Sequence, residues 1–334
     1  YIYGTVGGNA RFDGEMLMFS DNSDVITTSE HSILLAKFDT LGTMLWYKVI
    51  KCNSDYWSTP KWMTVKNDMI YITGITGMWG DNYWLYYIDT LITKAAVLNL
   101  PASERKPPYK HSRWTFFSQL DLDGNRIEDH FVETYTRQYY ESGNNHVRSV
   151  RPICTDEYAN PTPMHIDNEG NTYLFAPFDY AGNEEDPYTV VIDGDSSKTY
   201  DLFLPGSSCG NSSLQNAMLY KFTPNWELEF AKLMVQNTEG IATSWELAHD
   251  SINPLYYVYP EWLSYDQEDN MYISGYLMLG LSSYGASLHQ YPVHIYFDSL
   301  HYASVIDMSG TRRLNFVLKY NTDGDILWCN QIYT

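Results

Sequence analysis

Leu34-Leu35-Ala36-Lys37-Phe38-Asp39-Thr40-Leu41-Gly42, closed by Met44-Leu45-Trp46, is answered near the far end of the chain by a second copy. That copy reads Phe316-Val317-Leu318-Lys319-Tyr320-Asn321-Thr322-Asp323-Gly324, closed by Ile326-Leu327-Trp328. Each is an apolar strand, a tight polar turn and a second strand. Two weaker copies lie between them. One is Phe116-Phe117-Ser118-Gln119-Leu120-Asp121-Leu122-Asp123-Gly124. The other is Met218-Leu219-Tyr220-Lys221-Phe222-Thr223-Pro224-Asn225-Trp226, with Phe230 where the first copy has Trp46. With Asp39, Asp121, Thr223 and Asn321 as equivalents, successive copies are 82, 102 and 98 residues apart.

A second element recurs upstream: Tyr71-Ile72-Thr73-Gly74, Tyr173-Leu174-Phe175-Ala176, Tyr272-Ile273-Ser274-Gly275, and Tyr1-Ile2-Tyr3-Gly4 at the start of the sequence. Three of these follow a short strand and a polar turn: Trp62 to Val65, Met164 to Ile166 and Trp262 to Tyr265. Pro60, Pro163 and Pro260 open those strands, where a missing N–H costs least. Each unit therefore reads as four antiparallel strands. A four-stranded unit cannot bury both faces alone, and radial stacking of such units makes a propeller.

The expectation is an all-β protein, a β-propeller of about four blades over residues 1–52, 60–135, 161–236 and 258–334. The first blade lacks its first strand, so Tyr1 falls within a blade. The sequence then reads as a processed chain or part of a longer one. Either a four-bladed ring closes around an imperfect blade, or further sequence completes a larger ring. The period is long for one blade, and the excess lies between the second and third strands. Leu85 to Asp89, Val190 to Asp193 and His294 to Asp298 all run a strand into an Asp turn, with Met16 to Asp21 as the first copy. These predict an added hairpin on each blade.

These units resemble the bacterial β-propeller repeats known as SBBP repeats. That family runs an Asp-x-x-Gly-Asn turn, a Tyr-Val-Thr-Gly strand, then Phe-Val-Ala-Lys-Leu-Asp-x-x-Gly-Asn-x-x-Trp. The closest copies here are Asp167 to Tyr173, Tyr71 to Gly74, Leu34 to Trp46 and Phe316 to Trp328. The third copy departs, with Thr223-Pro224-Asn225-Trp226 for the Asp/Gly turn, and the second has Gln119 and Glu128 in place of Lys and Trp. The resemblance implies an exported or cell-surface protein, often a module of a larger adhesin or secreted assembly. It carries no shared catalytic motif.

Composition narrows the partners. Of 334 residues, 44% are hydrophobic and 19% charged, which is globular rather than disordered. Thirty Tyr and ten Trp suit pleated, half-buried surfaces. A net charge of −20 repels phosphate backbones and anionic lipid, so nucleic acid is not an expected partner. No stretch approaches the ~20 apolar residues of a membrane-spanning helix. With the cell-surface setting that the resemblance implies, the expected partners are a protein or glycan there, a further copy of the chain, or neighbouring propeller segments.

Candidate sites follow. Trp57, Trp62, Trp245 and Trp262 lie near the starts of innermost strands, where aromatics stack on sugar rings, anchor a peptide, or pack between blades. Asp121, Asp123 and Asn125, with Glu128 behind them, have the look of the start of a calcium loop. The same chemistry serves a hairpin turn, and no cofactor is otherwise expected. The long insertions Asn99 to Ser112 and Asp179 to Tyr188 are further places for partner contacts. Asn211-Ser212-Ser213 is a glycosylation sequon.

Among Cys52, Cys154, Cys209 and Cys329 there is no CxxC. Cys154 and Cys209 form a disulfide or remain thiols. The nine histidines show no metal-ligand spacing, and no nucleophile elbow, phosphate loop or dinucleotide fingerprint occurs. The expectation is a non-enzymatic extracellular binding or scaffold module. The alternatives are a propeller enzyme acting on polysaccharide, a lyase or glycosidase, and a structural subunit of an extracellular polymer.

Overall fold

The computed structural model describes residues 1–7, 11–12, 15–16, 31–52, 58–78, 84–87, 90–93, 112–139, 146–151, 162–179, 188–193, 196–202, 215–235, 237–239, 255–280, 293–305 and 313–332. The protein is all-β, built of antiparallel sheets, and among the described residues its only helical turn is a 3₁₀ turn at Ser196–Lys198. No helix is long and apolar enough to cross a membrane among these residues. The chain divides into two compact units.

The first unit spans residues 1–158 and 188–201. It contains β1 (Ile2–Gly7), β2 (Arg11–Phe12), β3 (Glu15–Met16), β4 (His31–Phe38), β5 (Met44–Cys52), β6 (Ser58–Lys66), β7 (Met69–Met78), β8 (Trp84–Tyr87), β9 (Thr90–Thr93), β10 (Ser112–Asp121), β11 (Arg126–Tyr139) and β12 (His146–Arg151). After β13 (Met164–Ile166) and β14 (Thr172–Asp179), which belong to the second unit, come β15 (Tyr188–Ile192) and β16 (Thr199–Leu202). The strands form two main sheets, β1-β4-β5-β8-β9 and β6-β7-β10-β11-β15-β16, with β12 also paired to β11.

The second unit adds β17 (Gln215–Phe222), β18 (Leu228–Leu233), β19 (Asn237–Glu239), β20 (Leu255–Tyr265), β21 (Met271–Gly280), β22 (Val293–Tyr296), β23 (Tyr302–Val305), β24 (Arg313–Tyr320) and β25 (Ile326–Ile332). Two four-stranded arrays, β13-β14-β17-β18 and β20-β21-β24-β25, meet at a single parallel bridge, Gln215 to Tyr257. β19, β22 and β23 form a small sheet.

Sequence-matched segments occupy matching places. Gly4 pairs with Leu34, Gly74 with Phe116, Ala176 with Met218 and Gly275 with Phe316. The third-to-fourth-strand hairpins share a register shift just before the turn, at Lys37/Phe38, Gln119/Leu120, Lys221/Phe222 and Lys319/Tyr320. Such a bulge adds a residue on one strand and sharpens its twist.

The added hairpins differ from expectation. Each lies between the second and third strands of its segment in sequence, but pairs with the outer strand of the segment before it. β8 joins β5, β15 joins β11, and β22 joins β19, which follows the outer strand β18. The reason is edge chemistry: an outer strand exposes a row of N–H and C=O groups, and the returning hairpin satisfies them. The Asp turns help to fix the graft. Asp193 accepts the Phe131 N–H at 3.0 Å through Oδ1, and its Oδ2 lies 2.8 Å from His130 Nδ1. Asp298 instead closes its own turn, accepting the N–H groups of Leu300 and His301, both at 2.7 Å. Of the first copy, Met16 to Asp21, only Met16 is among the described residues.

Alternation places the core. In β24, Leu314, Phe316, Leu318 and Tyr320 are buried, while the residues between them face outward. In the first unit Ile33, Leu35, Ile70, Ile72, Phe116, Leu120 and Phe131 close into one cluster with Trp46 and Met63 against it. Each such side chain contributes roughly 1.5–3 kcal/mol on burial.

Gly275 is required where the first strand crowds the second. A Cβ there would lie 2.2 Å from the Tyr259 carbonyl oxygen and 2.9 Å from the Phe316 ring. The crowding comes from the bulge between Pro260 and Trp262. Gly275→Ala is therefore expected to destabilise the protein by about 2 kcal/mol, read as a lower urea midpoint at unchanged slope.

Candidate functional site

Among the described residues, the turn that joins third and fourth strands recurs in all four segments. Asp39 Oδ1 accepts the N–H groups of Leu41 and Thr43, both at 2.8 Å. Asp121 does the same with Asp123 and Asn125, at 2.9 and 2.8 Å, and its second oxygen accepts the Asn125 amide at 2.8 Å. Asn321 accepts from Asp323 and Asp325 at 3.1 and 2.8 Å. The third copy keeps the shape without the acid. Thr223 Oγ1 accepts the Glu227 N–H at 3.2 Å, and Trp226 takes the left-handed φ of 54° that glycine takes in the others. The first-to-second-strand turns at Asp167 and Asp266 are built alike.

The calcium-like residues are thus brought together as a turn. Both Asp121 oxygens receive N–H donors, and its carboxyl is held below the usual range first by the Asn125 amide, then by backbone N–H groups. Asp123 and Asn125 project to solvent. Asp266 is held far below the carboxylate range. Partial burial raises it, but the Asn270 amide, the Lys319 ammonium and backbone N–H groups outweigh that.

The turns at Asp121 and Asn321 also dock on the preceding segment. In the first unit, Lys37 Nζ and Trp46 Nε1 donate to the Leu122 carbonyl at 3.0 and 3.3 Å, and the Trp46 ring lies under Gly124, 2.9 Å from where a Cβ would stand. In the second unit, Tyr173 Oη donates to the Thr322 carbonyl at 3.0 Å, Lys232 Nζ to the Asp323 carbonyl at 2.7 Å, and Phe230 lies 2.7 Å under Gly324. The Trp and Gly of the sequence motif are therefore two halves of one contact between successive segments.

Of the four tryptophans singled out by sequence, Trp57 and Trp245 lie outside the described residues. Trp62 and Trp262 occupy matching positions, just past the first-strand bulge and opposite Thr73 and Ser274. Trp62 is half-buried, whereas Trp262 is 62% exposed.

Trp262 belongs to a face. The outward residues of the β20-β21-β24-β25 array include Tyr259, Tyr272, Tyr276, Asn315, Lys319 and Trp328, all half-buried. Tyr259 and Tyr276 have ring centroids 4.7 Å apart. The Arg313 guanidinium stands 3.7 Å from the Tyr276 centroid, donates to Glu261 at 3.0 Å and reaches Asn315 at 3.2 Å. Lys319 lies 4.8 Å over Tyr272 and pairs with Asp266 at 3.0 Å. Rings with held cations beside them present flat apolar area and directed donors together. Arg313, Tyr259 and Tyr276 escaped the sequence reading. The alternation of Tyr272-Ser274-Tyr276 against Met271-Ile273 was the signal that marks them.

A cleft of about 160 Å³ lies nearby, lined by Leu219, Lys232, Phe297, Asp298, Tyr320 and Asp325 among others. It is smaller than the ~300–1,000 Å³ of small-molecule sites. Among the described residues the buried Tyr320 hydroxyl has no hydrogen-bond partner, and burial pushes its pKa up. Water-sized occupants suit such a space.

In comparisons with known proteins, no family model matches this chain and no curated protein sequence is found to be similar to it.

Asp266 supplies a pH test. Its pKa is lowered on folding, so its stabilisation is complete above the unfolded value of 3.8 and is lost as pH falls through that value toward the folded one. Asp266→Asn is expected to lower the urea midpoint near about pH 6, and the gap to the unmodified protein is expected to narrow progressively as pH falls from about 4 to about 2.

Proposed function

We propose that this protein is a non-enzymatic extracellular binding or scaffold module of a bacterial surface or secreted assembly, and that its sheets are blades of a β-propeller of about four blades, of the SBBP type. The recurring strand order, the shared register shift and the Trp–Gly contact between successive segments support the propeller reading. The observation that carries the binding reading is the face around Trp262. An indole 62% exposed beside a Tyr–Arg stack is costly to leave in water.

A glycan suits that face best. Sugar rings present apolar C–H faces that stack on indole and phenol, and Arg313 and Asn315 offer polar groups to hydroxyls. The acidic surface, net −20, favours a neutral glycan over an anionic one.

The test is a glycan array probed with the unmodified protein and with Trp262→Ala. Binding to neutral glycans is expected, weakened at least about tenfold by the substitution, or about 1.4 kcal/mol. Far-UV circular dichroism should be unchanged, and no new reducing ends should appear. Signal equal in both proteins would move the site away from this face. Release of reducing ends would replace the binding module with an enzyme.

A further inference from the structure

Three contacts hold Arg313 in one place on the Trp262 face. Its guanidinium lies 3.7 Å from the Tyr276 centroid, its Nε–H donates to Asn315 Oδ1 at 3.2 Å, and its Nη2–H donates to Glu261 Oε2 at 3.0 Å. A planar guanidinium held on a ring is a ready fork for a carboxylate, which it binds through two parallel hydrogen bonds. Glu261, itself a carboxylate, already stands on that fork. Lys319, beside Tyr272 on the same face, is treated alike: its Nζ pairs with Asp266 Oδ2 at 3.0 Å. Both charges are therefore matched before a ligand arrives.

The fold does not call for an acid at position 261. Pro260 pairs with Gly275 and Trp262 with Ser274, so Glu261 is the extra residue of the bulge, with no residue opposite it in the ladder. In the matching bulge of β6, between Pro60 and Trp62, the same place holds Lys61. The bulge thus accepts either sign of charge. The side chains of Glu261 and Arg313 are both about half exposed, and a pair so placed adds little to stability. Asp266 differs, because it also closes its own turn through the N–H groups of Glu268 and Asn270. Glu261 is the acid of this face whose charge can change while the turn stays closed.

We propose that Glu261 sets the selectivity of this face. By standing on Arg313 it confines the site to neutral glycans, and without it Arg313 takes sugars that carry a carboxylate, the hexuronic acids. This rests on the reading of the face as a glycan site, and adds the residue that chooses between sugar classes. A hexuronic acid differs from its neutral counterpart by a carboxylate in place of a hydroxymethyl group, so both can lay the same C–H face on the Trp262 indole. Charge is what separates them. A carboxylate brought to Arg313 gives up water, finds the fork occupied and meets the like charge of Glu261. Selection then works by an element that opposes the wrong ligand.

The probe is an array of neutral oligosaccharides, each beside its hexuronic-acid counterpart. It is read with the unmodified protein, Glu261→Gln, the double variant Glu261→Gln with Arg313→Gln, and Asp68→Asn. The last makes the same change of net charge at an exposed turn in the other unit. Glu261→Gln is expected to raise acidic over neutral binding at least about tenfold. The double variant should lose that gain, and Asp68→Asn should not show it. If Glu261→Gln loses the far-UV circular dichroism of the unmodified protein, Glu261→Lys, which copies the matching bulge, must show the gain instead. Neutral binding by the unmodified protein with no gain on substitution would overturn this inference alone. So would a gain that survives in the double variant, or an equal gain in Asp68→Asn. No neutral-glycan signal from the unmodified protein would remove the glycan reading and this inference with it.

Discussion

One side-chain oxygen accepting two backbone N–H groups, two and four residues ahead, is the contact on which the rest of this molecule hangs. It closes the turn at Asp39, Asp121, Asp167, Asp266 and Asn321. At Asp39, Asp121, Asp167 and Asn321 the closure leaves a glycine at φ between 73° and 88°, with no side chain above its backbone. At Gly124 and Gly324 that bare surface receives an aromatic ring from the segment before. The turn also points the next carbonyl outward, where Lys37 and Trp46 reach Leu122, and Tyr173 reaches Thr322. A single local hydrogen-bond pattern therefore sets both the hairpin register and the way one segment meets the next.

Much of this was legible in the sequence. The Asp-x-x-Gly spacing marks the turn because an acceptor at the first position and a residue tolerant of positive φ at the fourth close it at least cost. The Tyr-Ile-Thr-Gly signal marks the second strand, and its glycine marks close approach by the first. The partner of the inserted hairpin was not legible. The continuous apolar, β-branched run Val190-Val191-Ile192 announces a strand, yet nothing local says which edge will accept it. That depends on which outer strand is left unpaired, a property of the assembled array.

The candidate site divides the same way. Trp262 could be named from its place beside Pro260, but its exposure could not, because Trp62 in the matching position is half-buried. What separates the two is the surface each strand meets, not the strand. Asp121, Asp123 and Asn125 show the other side of this: their spacing fits a cation loop and a hairpin turn alike, and three N–H donors aim at the first carboxylate. Ligand-like spacing and turn-like spacing coincide because both need several oxygens or N–H groups converging within five residues.

The backward graft of each hairpin has a consequence for how such a chain grows. A segment copied in the gene, from one Pro-led strand to the next, is out of phase with the sheet it helps to finish. Every duplication carries in its middle the two strands that complete its predecessor. A newly inserted copy would therefore be bound to its neighbour from its first appearance, and a deleted copy would strip the edge of the sheet before it. Length added or removed by whole copies would place the seam inside a sheet rather than at a linker.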